Sequence, residues 1–309
     1  MSCNKEIGGY FSLECGNKPL YHSGGIYLNS GRNALRCIIR AHKIKELYIP
    51  FYTCPAVVEA VNKENCNVTF YNLNSDFMPS DVFPEDSFVL YNNYFGVCGK
   101  QVQIMASRYS NLLVDNAQSF YSAPCGAASF YSPRKFFGLP DGGIAFCKPD
   151  TEQDYPVDTN SDLRCSHLLC RPLRGASAGY AEFCKNDSSL DESEIMRMSL
   201  LTCSLMGNID YERIREKRLK NFYTLHHFLE PEKKWDLAAD DVPMVYPYFT
   251  KDTELKKYLI SNKIFVATYW PGLGKNCNDL QQHLVPLPLD QRYDTDDMEY
   301  IADVIKRKK

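Results

Sequence analysis

A short apolar run, Leu112-Leu113-Val114, stops at an acid, Asp115. A run of that kind reads as a buried strand of an α/β sheet, and the residue that ends it arrives at the ligand edge. The same pattern recurs through the first half of the chain. Glu46–Pro50 reads as a strand, followed by the turn Pro50-Phe51-Tyr52-Thr53-Cys54-Pro55. AVVEAVNKE then reads as a helix and Asn67–Leu73 as the next strand. Ser87–Tyr91 is a further strand, ending in Asn92-Asn93-Tyr94-Phe95-Gly96, and Gln101–Tyr109 is a helix leading into the Asp115 strand. Strands and helices alternating at this spacing call for a mostly parallel sheet, so the fold class expected is α/β.

Past Asp115 the sequence carries a second candidate strand, Ala127–Tyr131, then Ser132-Pro133-Arg134-Lys135, then the pair Gly142-Gly143. A carboxylate and a lysine, each at a strand end, are what pyridoxal 5'-phosphate requires. The lysine forms the Schiff base, and the carboxylate keeps the pyridine nitrogen protonated so that the ring accepts electrons. A lysine in water has a pKa of about 10.4 and is a poor nucleophile; desolvation and nearby positive charge activate it. Upstream, Asn29-Ser30-Gly31-Arg32-Asn33 precedes ALRCIIRAH, whose apolar residues fit one helix face, with Ser30 or Asn29 as the N-cap. A Ser-Gly helix start offers free N–H groups and a dipole end to an anion.

The order Asp115-x-Ala117-Gln118, Ser129-Phe130, Lys135, Asp141-Gly142-Gly143 resembles the DegT/StrS-type sugar aminotransferases, which are fold-type I pyridoxal phosphate enzymes. The resemblance runs more weakly from about Leu28 to the C-terminus. It implies a large cofactor-binding domain with an N-terminal arm, here residues 1–190, and a long helix with a small C-terminal α+β domain, here 191–309. It implies catalytic roles for Lys135 and Asp115, a ring contact for Gln118, and a phosphate turn at Ser30-Gly31, where Arg32 replaces the family's threonine. Asn93 stands where the family has a histidine near the cofactor. The residue after Thr53, commonly a ring-stacking aromatic, is Cys54; Tyr52 either compensates or packs against the sheet. Ser132, three residues before Lys135, is the preferred phosphate serine, with Ser129 as second choice. The family's cross-subunit Asn-x-Arg-Met element is Ile195-Met196-Arg197-Met198 here, so that phosphate contact does not carry over. A homodimer is implied, with Arg32 supplying the missing charge.

Composition narrows the partners. A net charge of −3 without a basic block gives no support for nucleic-acid binding. The 13 cysteines include no C-x-x-C pair, and an odd number cannot pair completely. With no secretory apolar region and no run able to span a bilayer, the chain reads as cytoplasmic, its cysteines reduced and used as small hydrophobes. No metal site is expected.

The rest of the chain is less regular. The first 25 residues read as an irregular arm, and Lys148–Glu192 as a polar connection suited to a lid, a partner contact or plain disorder. Met196–Leu229 carries long helical character. VPMVYPYF then reads as strand, Asp252–Asn262 as helix, Lys263–Thr268 as strand and Asp294–Lys306 as the closing helix. Tyr269-Trp270-Pro271-Gly272 and Leu287–Tyr293 are loops with groups able to face a substrate. Three functions fit. The leading one transfers an amino group from an amino acid to a nucleotide-linked keto-sugar, in polysaccharide or glycan biosynthesis. The others are another pyridoxal phosphate reaction and a non-enzymatic relative that keeps the fold as a binding or regulatory module.

Overall fold

The computed structural model describes residues 7–16, 18–147, 154–231, 235–271 and 278–308. Parts of the expected arm (1–6 and 17), of the polar connection (148–153) and of the loop after Trp270, together with Lys309, lie outside these residues.

The first half delivers the expected alternation. In chain order it comprises β1 (Ile26–Leu28), α1 (Gly31–His42), β2 (Glu46–Pro50), α2 (Pro55–Lys63), β3 (Asn67–Tyr71), β4 (Val89–Asn92), α3 (Gly99–Arg108), β5 (Leu112–Asp115), β6 (Ala128–Tyr131) and β7 (Gly143–Phe146). These strands form one seven-stranded sheet in the order β1-β7-β6-β5-β4-β2-β3. β3, β2, β4, β5 and β6 run parallel, while β7 is antiparallel to both β6 and β1. All four residues are buried in each of β4, β5 and β6, which is why they read as apolar runs rather than alternating ones. Ser30 caps α1 by accepting from the Asn33 N–H at 3.1 Å, and the helix lays Ala34, Leu35, Ile38 and Ile39 against the sheet.

Chain order and spatial order part company between β2 and β4. The chain leaves β2 toward β3 on one side and leaves β4 toward β5 on the other. The loops after these two strands therefore diverge and open a crevice at the carboxyl edge of the sheet, where open α/β sheets bind ligands.

The second half contains α4 (Ser166–Arg174), α5 (Tyr180–Asp191), α6 (Leu200–Met206), α7 (Tyr211–Leu229), β8 (Tyr246–Phe249), α8 (Leu255–Ser261), α9 (Asn278–His283), β9 (Leu284–Leu287) and α10 (Thr295–Lys308). β8 and β9 make a separate antiparallel sheet. One apolar cluster joins it to the main sheet, running from Tyr91 and Val114 through Phe222 and Val285 to Ile305. No helix among the described residues is long and apolar enough to cross a membrane.

Several expectations need correction here. The polar connection is not structureless, since it folds as α4 and α5. The long helix is two helices, broken at Gly207–Asp210, with Ser199 and Asp210 each capping a new start. Lys263–Thr268 forms no strand: α8 ends in a tight stop, with Lys263 at φ +64° and the Ile264 N–H returning to the Leu259 carbonyl. The partner of β8 is instead β9, which carries Pro286 opposite Pro247. Proline argues against a central strand, but each strand of a two-stranded sheet has one side free of the ladder.

Candidate active site

The crevice collects one residue or pair from each successive loop. Cys54 follows β2, Asn92 ends β4 with Asn93 next, Asp115 ends β5 with Gln118 just beyond, and Lys135 closes a 3-10 turn after β6. Together with Trp270 these six residues line one pocket. The parallel register sets their level, because Asn92 sits directly opposite Asp115 across the β4–β5 pair.

Asp115 is buried to 8% exposure, and its Oδ1 accepts the Ala117 N–H at 2.7 Å. Burial pushes its pKa up, while the Lys135 charge and the Ala117 N–H pull it down. A carboxylate under that tension is stabilised by a cationic N–H placed against it. Lys135 itself is exposed and stands on the turn Pro133–Lys135, with its N–H bonded to the Ser132 carbonyl at 3.0 Å. Gln118 is fixed by its Oε1, which accepts the Phe95 N–H at 2.9 Å, leaving its amide NH2 end for other partners. Asn93 donates to Asn116 Oδ1 and Ser122 Oγ, both at 3.1 Å, and Asn92 donates to Thr53 Oγ1 at 2.9 Å. The side-chain amide oxygens (Oδ1) of Asn92 and Asn93 are buried without a hydrogen-bond partner. Two such acceptors beside one pocket favour a ligand that brings N–H or O–H groups.

The start of α1 meets the Lys135 turn. A Cβ on Gly31 would come within 3.1 Å of the Ser132 Cβ, and one on Gly143 would fall 2.0 Å from the Ser30 carbonyl oxygen. Glycine at both positions lets the helix N-terminus, Ser132 and β7 converge. Ser132 makes no side-chain cap bond to its turn. The result is a small cradle of α1 N–H groups with a hydroxyl beside it, chemistry that suits a phosphate.

Three candidates are not brought to this place. Ser129 is buried within β6, where its hydroxyl donates to the Cys125 carbonyl at 2.7 Å and accepts the Cys125 N–H at 3.0 Å. That closes the turn before the strand and leaves no hydroxyl donor for a phosphate. Arg32 turns away, pairing with Asp191 at 2.7 Å and Glu59 at 3.1 Å and donating to the Leu190 carbonyl. Tyr52 is 2% exposed and packs within the apolar cluster, behind Trp270. Ile195 is likewise core. Conversely, Asn92 and Trp270 line the pocket without having stood among the site candidates. The strand-ending position of Asn92 was a usable signal. For Trp270, only its loop hinted at a ligand role.

No family model matches the chain, and no curated protein matches it. Among solved structures, a DegT DnrJ EryC1 StrS aminotransferase from Brucella abortus superposes with a TM-score of 0.64 at 17% identity, covering 92% of this chain and 85% of that one. A Streptococcus pneumoniae protein described as a sugar aminotransferase, in its PMP form, gives 0.64 at 13%, covering 96% and 91%. Helicobacter pylori PseC, an aminotransferase involved in the biosynthesis of pseudoaminic acid, gives 0.62 at 14%, covering 93% and 87%. The chain shares their fold nearly end to end: a large, mostly parallel sheet with a small antiparallel sheet near the C-terminus.

Proposed function

We propose that this protein is a pyridoxal phosphate-dependent aminotransferase of the DegT/StrS type, acting on a nucleotide-linked keto-sugar with an amino acid as donor. The observation that carries the proposal is the convergence of Asp115, Gln118, Asn93 and Lys135 on one pocket at the β2–β4 divergence. The residues present fit the cofactor. The α1 N-terminus with Ser30, Gly31 and Ser132 would hold its phosphate, Asp115 its pyridine nitrogen, Gln118 and Asn93 its ring substituents, and Lys135 its aldehyde carbon. When bound, pyridoxal phosphate supplies an electron sink for charge developing at the donor's α-carbon.

The chain does the rest. Asp115 keeps a proton on the ring nitrogen, and its buried place strengthens that pairing because little water screens it. With the cofactor bound, the Lys135 amine would be the base that takes a proton from the donor's α-carbon in the first half-reaction and the acid that delivers one to the acceptor carbon in the second. The buried Oδ1 atoms of Asn92 and Asn93 would accept from the incoming amine or sugar hydroxyls. The fold neighbours described as sugar aminotransferases support a keto-sugar as acceptor.

A homodimer belongs to the same proposal. Leu163, Leu169, Leu173 and Tyr180, on or beside α4 and α5, are 65–78% exposed, an apolar face suited to a second copy. The deciding experiment is borohydride reduction of the protein loaded with pyridoxal phosphate, followed by peptide mapping. Label on the Lys135 peptide supports the reading, and label elsewhere or nowhere sinks it.

A further inference from the structure

We infer that Trp270, delivered by the C-terminal half of the chain, is the aromatic wall against which the cofactor ring stacks, replacing the plane that Cys54 cannot provide. This deepens the cofactor reading above and rests on it. The other residues lining the pocket are polar or small: Cys54, Asn92, Asn93, Asp115, Gln118 and Lys135. They can bond to the edge of a flat heteroaromatic ring but offer no surface of matching shape to its face. Trp270 is the aromatic residue in the pocket wall. Stacked or edge-on ring pairs add binding energy beyond the area they bury, and indole is the largest plane available to a protein.

Its setting is that of a built part. Trp270 is 9% exposed, and its ring lies edge-on to Tyr52, with centroids 4.7 Å apart at 67°, and to Tyr94, 6.2 Å apart at 62°. The Tyr94 hydroxyl donates to the Tyr52 carbonyl at 2.7 Å, so the two braces are tied together. The Trp270 backbone holds φ at +51°, a left-handed conformation costly for a bulky residue. Loop positions keep that strain where the side chain must point one way. Tyr52 thus acts one layer back, bracing the indole rather than touching a ligand.

The test titrates wild type, Trp270→Phe and Trp270→Leu with pyridoxal phosphate by absorbance, with borohydride mapping at saturation. Phenylalanine keeps a plane, so its affinity should stay within about threefold, whereas leucine should bind about tenfold or more weakly. All three should still be labelled at Lys135. Leucine binding within about twofold of wild type overturns the inference while leaving the cofactor reading intact. Absence of label at Lys135 in wild type overturns the cofactor reading itself. Should circular dichroism show the leucine variant unfolded, Trp235→Phe decides, because the chain has two tryptophans and this leaves Trp270 as sole emitter. Acrylamide quenching of that emission should fall when cofactor binds; unchanged quenching overturns the inference.

Discussion

The strand-end wall of the pocket and the wall contributed by the C-terminal half are built on different principles. On the first, Asn93, Asp115 and Gln118 each stand within three residues of the strand that positions them. On the second, the ties that fix the turn reach across the chain. The Phe136 carbonyl, next to Lys135, accepts from Gln291 Nε2 at 2.7 Å and from the buried Arg218 guanidinium at 3.4 Å. Arg218 also lies over the Phe136 ring at 4.6 Å and donates to the Pro243 and Met244 carbonyls at 3.1 Å. The turn that presents Lys135 is therefore locked from a region more than 80 residues away in sequence. Local strand geometry sets which chemical groups reach the pocket, and long-range packing sets how firmly they are held.

The largest effects come from one group on each wall, Lys135 on the turn tied by Arg218 and Gln291 and Asp115 at its strand end. Lys135→Ala should abolish covalent labelling by pyridoxal phosphate and borohydride, and with it turnover, while thermal unfolding stays within about 0.5 kcal/mol because the side chain is exposed. Asp115→Asn keeps shape but removes charge. It should bind cofactor and lose about a hundredfold or more in single-turnover amino transfer, the scale of about 3 kcal/mol of lost charge stabilisation. Near-normal single-turnover rates would assign Asp115 to the fold instead, and the contrast between the two walls would fail.

The next effect probes a long-range tie. His22, in the N-terminal arm, is 5% exposed, donates to the Phe120 carbonyl and lies tilted against the Tyr131 ring, centroids 4.1 Å apart. Burial lowers its pKa from 6.5 to about 4, opposed by the bond to Phe120. A depressed folded value means that the neutral imidazole stabilises fully above the unfolded pKa. That contribution is lost as pH falls from about 6.5 toward 4, by about 3 kcal/mol for the full window. Denaturant unfolding at pH 7.5 and 4.5 checks it. The difference between the two should be smaller in His22→Asn than in wild type, and equal differences would mean that His22 titrates normally.

The same contrast explains what was legible in sequence. The β2–α2–β3 and β4–α3–β5 units, the Asp115 strand end and the Ser30 cap were readable because each is specified by a few adjacent residues. β9 was hidden by its two-proline pairing, which only a two-stranded sheet tolerates. α4 and α5 were missed because their apolar residues mark no buried face: only Cys170 of α4, and only Asn186 and Leu190 among the 12 residues of α5, are buried. Trp270 was named only as part of a loop, since nothing local says that Tyr52 and Tyr94 turn it toward the pocket. Ser129, second choice to Ser132 from its place in the sequence, is claimed by the Cys125 turn.

Arg32 is the sharpest case, because its sequence position promised one role and its partners give it another. At the start of α1, beside a helix N-terminus, a guanidinium reads as a phosphate ligand. Its neighbours are instead Glu59 of α2, Asp191 at the end of α5 and the Leu190 carbonyl. Arg36 repeats the arrangement one turn on, binding Glu64 at 2.7 Å. The row stitches α1 to α2 and to the segment after α5, so α1 approaches the cradle with backbone N–H groups, Ser30 and Gly31 but without the arginine's charge. Arg32→Ala should therefore leave pyridoxal phosphate affinity within about twofold. It should cost about 1 kcal/mol in unfolding free energy, since both carboxylates are about half exposed and water screens the pairs. Titration of the variant beside its urea unfolding curve separates the outcomes. A tenfold loss of cofactor affinity with unchanged stability would return Arg32 to the phosphate site and show that local position, not packing, decides its role.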